Sequence, residues 1–194
     1  MTPTHRSLSL TVFVAALLTA PLAHASVWLK TGSETSRPYG HVEYCSKNAS
    51  DCRSSGNSQA LPPARLSVLQ AVNHVINKAI KPVSDQKQFG KREYWTANTK
   101  AGDCEDYALA KRRALLKRGF KPSHLLLTMA RSRGEAHTVL VVRTRDGDFV
   151  LDNLKTAVLP VNKTSLGYVK MQSGDNARKW RSITGKTSQV AEVR

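Results

Sequence analysis

Residues 125–154 constrain this chain most tightly. Three short apolar runs follow one another there: 125–130, 137–144 with Val139-Leu140-Val141-Val142, and 148–154 with Phe149-Val150-Leu151. Each has the length and β-branched content of a strand. Between the last two stands Arg145-Asp146-Gly147, and an Asp-Gly pair flanked by apolar runs signals a tight reversal. The two runs therefore form an antiparallel hairpin. His137 opens one strand and Asp152 closes its partner, so the hairpin makes these two residues neighbours.

Immediately upstream, Ala101-Gly102-Asp103 opens a helix. Asp103 is a good N-cap, and Gly119 after Lys117-Arg118 is a good stop. Acids crowd the first turn (Asp103, Glu105, Asp106) and bases the rest (Lys111, Arg112, Arg113, Lys117, Arg118), in step with the helix macrodipole. Cys104, Tyr107, Ala108, Ala114 and Leu115 share one face, so Cys104 starts a buried helix. A second helix is predicted from 66 to about 80, where Leu66, Leu69, Val72, Val75, Ile76 and Ile80 recur at helical spacing. Pro62-Pro63 precedes it and Pro82 stops it. Asn73 and Asn77 lie four apart on it, fit either for packing at the core edge or for hydrogen bonding a loop. Residues 83–100 form a polar connection carrying Tyr94 and Trp95. Residues 27–63 are polar, rich in Ser, Asn and Gly, and expected to be irregular. The last twenty residues are polar and basic with Trp180 as anchor, and fraying is expected from about 183 to 194. Helices packed on an antiparallel sheet make an α+β fold.

The first 25 residues have the form of an export signal. His5 and Arg6 precede a mostly apolar stretch, 8–20, and Ala23-His24-Ala25 is a small-x-small cleavage pattern. The apolar stretch falls short of the roughly 20 residues a membrane span needs. Cleavage after Ala25 is expected, leaving 26–194 as one domain; an uncleaved amphipathic anchor is the alternative. No later stretch could span a bilayer, so the product is expected to be soluble in the periplasm or secreted, without stable membrane insertion.

Charge sets the possible partners. Thirty Lys and Arg face fourteen Asp and Glu, a net +16; loss of Arg6 with the signal leaves 29 against 14, or +15. Anionic partners are favoured in general. Nucleic acid is not among those expected, given 6% aromatic residues, no recognition motif and an export signal. The bases are also spread along the chain (Lys78, Lys81, Lys87, Lys91, Arg92, those of 111–118, Arg131, Arg133), which reads as solvated surface.

Three cysteines fit an oxidising compartment. Cys45 and Cys52 enclose a polar loop, Ser46-Lys47-Asn48-Ala49-Ser50-Asp51. A disulfide with one cysteine left over is the first reading, and two half-ligands of a metal site the second. Cys104 is the cysteine left over.

A helix-start cysteine, a strand-start histidine and an acid on the adjacent strand are the parts of a thiol nucleophile site. The thiolate is the attacking species, and a helix N-terminus and a neighbouring imidazolium both favour it. A histidine takes the thiol proton and returns it to the leaving group, while a carboxylate fixes the ring. Here these are Cys104, His137 and Asp152. Singly, each has a bland reading: a small core hydrophobe, a strand-end residue, a turn former.

The segment Gly102-Asp103-Cys104-Glu105-Asp106-Tyr107-Ala108-Leu109-Ala110-Lys111 resembles the nucleophile motif of the bacterial transglutaminase-like cysteine peptidases. That group includes a periplasmic protease that clips a biofilm adhesin off the cell surface. The likeness continues through Gly134-Glu135-Ala136-His137-Thr138-Val139-Leu140 and Asp148-Phe149-Val150-Leu151-Asp152-Asn153-Leu154. Tyr168-Val169-Lys170-Met171-Gln172-Ser173, Trp180, Asn73, Asn77 and Tyr94-Trp95 also fit, so it spans most of 40–182. The resemblance implies a papain-like, transglutaminase-like fold and a Cys104-His137-Asp152 triad acting on peptide bonds. It also implies Ca2+ held by Asp103 and Glu105. The chain is similar to the compact disulfide-bearing members, and the resemblance leaves open which surface protein is cut, an acidic adhesin being one candidate, and whether a regulatory protein binds. Transfer of the acyl group to an amine uses the same triad and is the second reading. A basic binding protein with a dead site is the third.

Overall fold

The computed structural model describes residues 26–56 and 60–189. The expected export signal lies outside the described residues. In chain order the elements are β1 (Ser26–Thr35), α1 (Tyr39–Lys47), α2 (Leu66–Ala79), β2 (Lys81–Pro82), α3 (Asp85–Phe89), β3 (Ala101–Gly102) and α4 (Cys104–Leu116). They continue with β4 (Leu125–Ser132), β5 (Glu135–Thr144), β6 (Gly147–Leu151), β7 (Leu159–Pro160), β8 (Gly167–Gln172) and β9 (Trp180–Gln189). The fold is α+β: a seven-stranded antiparallel sheet in the order β1-β9-β8-β4-β5-β6-β7, with helices against one face.

Period-two alternation builds a core on each face of the sheet. Leu125 and Leu127, Leu140 and Val142, and Phe149 and Leu151 meet Leu69 and Val72 of α2, Ala108, Leu109 and Leu115 of α4, and Trp180. The intervening residues Leu126, Val139, Val141 and Val150 pack with Val27, Leu29, Val161 and Met171 on the other face. The sheet curls to seal this second core, bringing β1 against β6. Leu29 N–H donates to Asp148 Oδ2 at 2.8 Å, and Trp28 Nε1 to the Thr144 carbonyl at 2.8 Å. Gly147 has a positive φ of 116°, and a Cβ there would stand 3.0 Å from the Val27 carbonyl oxygen. The turn glycine thus serves both the hairpin and the closure.

The predicted hairpin is β5-β6, in register from Leu140↔Leu151 to Thr144↔Gly147. The predicted helices are α2 and α4, with Gly119 in the positive-φ region just past the latter.

Three expectations fail. Residues 27–63 are not uniformly irregular, since they hold β1 and α1. The chain does not fray at 183: β9 runs to Gln189, paired with β1 from Thr35↔Trp180 to Ser26↔Gln189. Polar and basic residues sit in that strand because one of its sides faces solvent. The bases of α4 are not all solvated either. Lys111 and Arg112 are buried, and Arg112 Nε donates to the Leu125 carbonyl at 3.2 Å.

Cys45 and Cys52 form a disulfide that joins the end of α1 to the following turn, and Cys104 is free. Among the described residues, no helix is long and apolar enough to cross a membrane.

Candidate active site

Cys104 is the first residue of α4, a 13-residue helix whose N-terminus points at β5. Its Sγ accepts the Thr138 N–H at 3.3 Å and donates to Glu105 Oε2 at 3.0 Å. Burial pushes the thiol well above the usual cysteine range, and the charge and hydrogen bond of Glu105, with Asp103 behind, push it further. Glu105 is itself driven up to about 9, by burial and then by Asp103. In this state the thiol is held neutral.

His137 and Asp152 meet as the hairpin requires. Leu140 pairs with Leu151, so Asp152 enters the row of Val139 and lies diagonally opposite His137 on the same face. His137 Nε2 stands 2.8 Å from Asp152 Oδ1, with both side chains almost fully buried. The same oxygen accepts the Leu154 N–H at 2.9 Å. Burial raises the Asp152 carboxyl, but the His137 and Leu154 hydrogen bonds, together with the charges of His137 and Lys111, hold it below the usual range. An ionised carboxylate on Nε2 assigns the ring proton there and leaves Nδ1 as the basic nitrogen.

The segment after Asp152 is tied down from α2. Asn77 Nδ2 donates to the Asp152 carbonyl at 3.0 Å, and Asn73 Nδ2 to the carbonyls of Lys155 and Thr156 at 2.9 and 3.1 Å. Of the two roles open to these asparagines, they take the loop-bonding one.

Beside the α4 N-terminus lies a knot of carboxylates. β2 pairs in parallel with β3, Pro82 against Gly102, which carries Asp85 to Asp103. Asp85 N–H donates to Asp103 Oδ2 at 3.2 Å, so Asp103 holds the N-cap position without capping its own helix. One donor oxygen each of Asp85, Asp103 and Asp106 lie within 4.8 Å of one another. Asp85 Oδ1, Asp103 Oδ1 and Asp106 Oδ2 are buried without a hydrogen-bond partner. Burial, then the neighbouring acids, push Asp85 up to about 6 and Asp106 up to about 7. A Cβ on Gly102 would fall 2.0 Å from Asp106 Oδ2, so only glycine leaves the knot its space.

Buried carboxylates with spare oxygens suit a hard divalent cation. The sequence reading named Asp103 and Glu105 for that task. The structure sets Asp103 in the knot and turns Glu105 to the thiol, while Asp85 and Asp106 supply the other oxygens. Asp106 was legible only as a helix-dipole acid. Asp85, eighteen residues before Asp103, gave no local signal.

Residues 31–188 match the bacterial transglutaminase-like cysteine proteinase family. Among solved structures, Legionella pneumophila LapG aligns at 27% identity over 54% of this chain and 62% of that one, with a TM-score of 0.47. The calcium-bound form of LapG aligns at 23% identity over 66% and 70%, with a TM-score of 0.49. The first alignment thus spans less than two thirds of LapG's length. No curated protein gives a significant match. A match running from β1 to β9 takes in the thiol helix, the His-Asp hairpin and the acidic knot together, and the chain belongs to the bacterial transglutaminase-like cysteine proteinases.

Proposed function

We propose that this protein is an exported, calcium-dependent cysteine endopeptidase that cuts a periplasmic or cell-surface protein, with Cys104, His137 and Asp152 as its catalytic residues. The observation that carries the reading is the buried 2.8 Å His137–Asp152 pair beside a free, partly exposed cysteine at a helix N-terminus. Export is supported by the signal pattern of residues 1–25 and by the Cys45–Cys52 disulfide.

His137 Nδ1 takes the Sγ proton, and the thiolate attacks the scissile carbonyl carbon. The tetrahedral oxyanion collapses, the C–N bond breaks, and the imidazolium protonates the leaving amine. His137 then takes a proton from water, whose oxygen attacks the thioester; the C–S bond breaks and returns the acid and the thiol. Asp152 stays ionised throughout and keeps the ring oriented. The helix N-terminus and the Thr138 N–H favour the thiolate over the thiol.

The acidic knot supports calcium. Asp103, Asp85 and Asp106 would hold the ion, with Glu105, which flanks Cys104, as the further candidate donor. When bound, the cation neutralises carboxylates whose charge opposes ionisation of Cys104. Each residue named is present whether or not the ion is.

A denatured protein substrate incubated with purified 26–194 tests the reading. New N-termini with no ammonia release are expected, abolished by Cys104→Ala. Ammonia release with crosslinked products would instead assign acyl transfer to an amine.

A further inference from the structure

The apolar stripe of α2 is wider than the core covers. Leu69 and Val72 are buried, but Val75 keeps 58% of its surface exposed and Ile76 is only half-buried. Val75, Ile76 and Ala79 of α2 line an open groove of about 590 Å³ with Ala110 and Ala114 of α4, and the segment before β3 completes the lining. Exposed apolar surface gathered in a concavity and rimmed by polar groups marks a site of interaction. No acid lines this groove, whereas Lys100, Arg113, Lys117 and Arg118 all do. Arg113 is engaged with Asp51 and Asn98. Among the described residues, no acid pairs with Lys100, Lys117 or Arg118. Lys117 and Arg118 follow the last turn of α4 and suit the negative end of its dipole. Lys100 comes from a different segment, so the dipole does not account for the convergence of all three.

We infer that the groove between α2 and α4 is a docking site for an acidic amphipathic helix of a partner protein. Apolar side chains of that helix at i, i+3, i+4 and i+7 seat on Val75, Ile76, Ala110 and Ala114, and its flanking carboxylates meet Lys100, Lys117 and Arg118. The inference does not depend on the peptidase reading. From Ala110 to Arg118 the α4 axis rises by about 12 Å, enough to run beside two turns of a docked helix. Charge selects the occupant. A second copy would bring another net +16 to a rim that is already basic. None of the segments outside the described residues offers an acidic face: 1–25 and 57–59 hold no acid, and 190–194 holds Glu192 alone. A concave apolar floor also fits a helix better than it fits a flat bilayer surface. A partner with carboxylates beside an apolar stripe satisfies both the floor and the rim.

The test is fluorescence anisotropy of the 26–194 protein with a labelled synthetic peptide of about 18 residues, long enough to form a helix. The peptide carries Leu along one helical stripe and Glu on both sides of it; its twin carries Lys in place of every Glu. The acidic peptide is expected to bind with a Kd on the order of 10 μM, and the basic twin not to bind. Lys100→Glu with Lys117→Glu should weaken binding about tenfold or more, and so should Val75→Asp on the groove wall. The same charge change made by Lys163→Glu with Lys186→Glu, on segments beside the second core, should move it less than about twofold. Thermal midpoints should stay within about 2 °C of wild type, since the substituted side chains are exposed. If Val75→Asp does not fold, the exposed Lys100 and Lys117 pair decides the matter alone. Equal losses in the two double variants would reduce the binding to general attraction by a basic protein and overturn the inference. A wild-type dimer in sedimentation that dissociates in Val75→Asp would give the groove to a second copy and overturn it. Phosphatidylglycerol vesicles that bind wild type but not the groove variants, with the acidic peptide failing to compete, would give it to a membrane surface and do the same.

Discussion

Replacing Asp85 by Asn should change the sign of its effect according to whether calcium is present. Asn keeps an acceptor for the Tyr94 N–H that Asp85 Oδ2 now receives. It removes one charge from a knot whose donor oxygens lie within 4.8 Å of one another. Two unit charges at that distance repel by about 3 kcal/mol at an effective dielectric constant of 20. Two such repulsions vanish with Asp85, but the upward shifts of Asp85 and Asp106 mean that protons already relieve part of them near neutrality. The net gain for the metal-free variant should therefore be about 1–2 kcal/mol, or several degrees in thermal midpoint for a domain of this size. Calcium at a hundred times its Kd should stabilise wild type by about 2.7 kcal/mol and the variant far less. Thermal unfolding of both proteins in EGTA and in excess calcium reads the crossing: variant higher in EGTA, wild type higher in calcium. Two parallel responses, or a variant less stable in both, would refute the claim that these oxygens await a cation.

The same groups set a pH dependence. Asp85 and Asp106 have folded-state values raised to about 6 and 7, so their favourable contribution exists below the ordinary carboxyl range and is lost as pH rises through 6–7. In EGTA, urea midpoints should fall between about pH 4 and pH 7, and calcium should flatten that slope. Opening the Cys45–Cys52 bridge with a double Ala substitution should cost about 2.5 kcal/mol by the chain-entropy rule for so short a loop, measured by urea titration. Asn73→Ala removes the donors to the Lys155 and Thr156 carbonyls. It should cost about 1 kcal/mol, the ordinary net loss for a hydrogen bond, because both carbonyls lie on an exposed stretch and keep a second donor, Asn77 Nδ2 and Gln70 Nε2. It should also lower kcat through the loosened segment after Asp152.

What could be read from sequence was local. Asp146-Gly147 and the alternating apolar runs around it specify the β5-β6 hairpin, and with it the meeting of His137 and Asp152. Asp103 and Gly119 bracket α4, so the thiol at a helix start was equally legible. The rest depended on pairs distant in the chain. β1 and β9 lie more than 140 residues apart, and neither polar strand shows that it has a partner until both ends are placed. Asp85 reaches the knot only because a two-residue parallel pairing sets Pro82 beside Gly102. Lys111 looked like one base among many on a helix, and its burial depends on the sheet packed beneath that helix.

The central claim is that Cys104 is a nucleophile activated by His137, and its alkylation rate tests this most directly. Iodoacetamide is added to calcium-loaded wild type, His137→Ala and Asp152→Asn, and Cys104 labelling is followed by intact mass between pH 5 and 9. The account predicts rapid labelling of wild type at pH 6, below the ordinary thiol range. It predicts a fall of at least tenfold in His137→Ala and a smaller fall in Asp152→Asn, with the disulfide unlabelled throughout. Labelling of wild type only above pH 8, at the rate of His137→Ala, would mean that Cys104 is an ordinary buried thiol and would contradict the account.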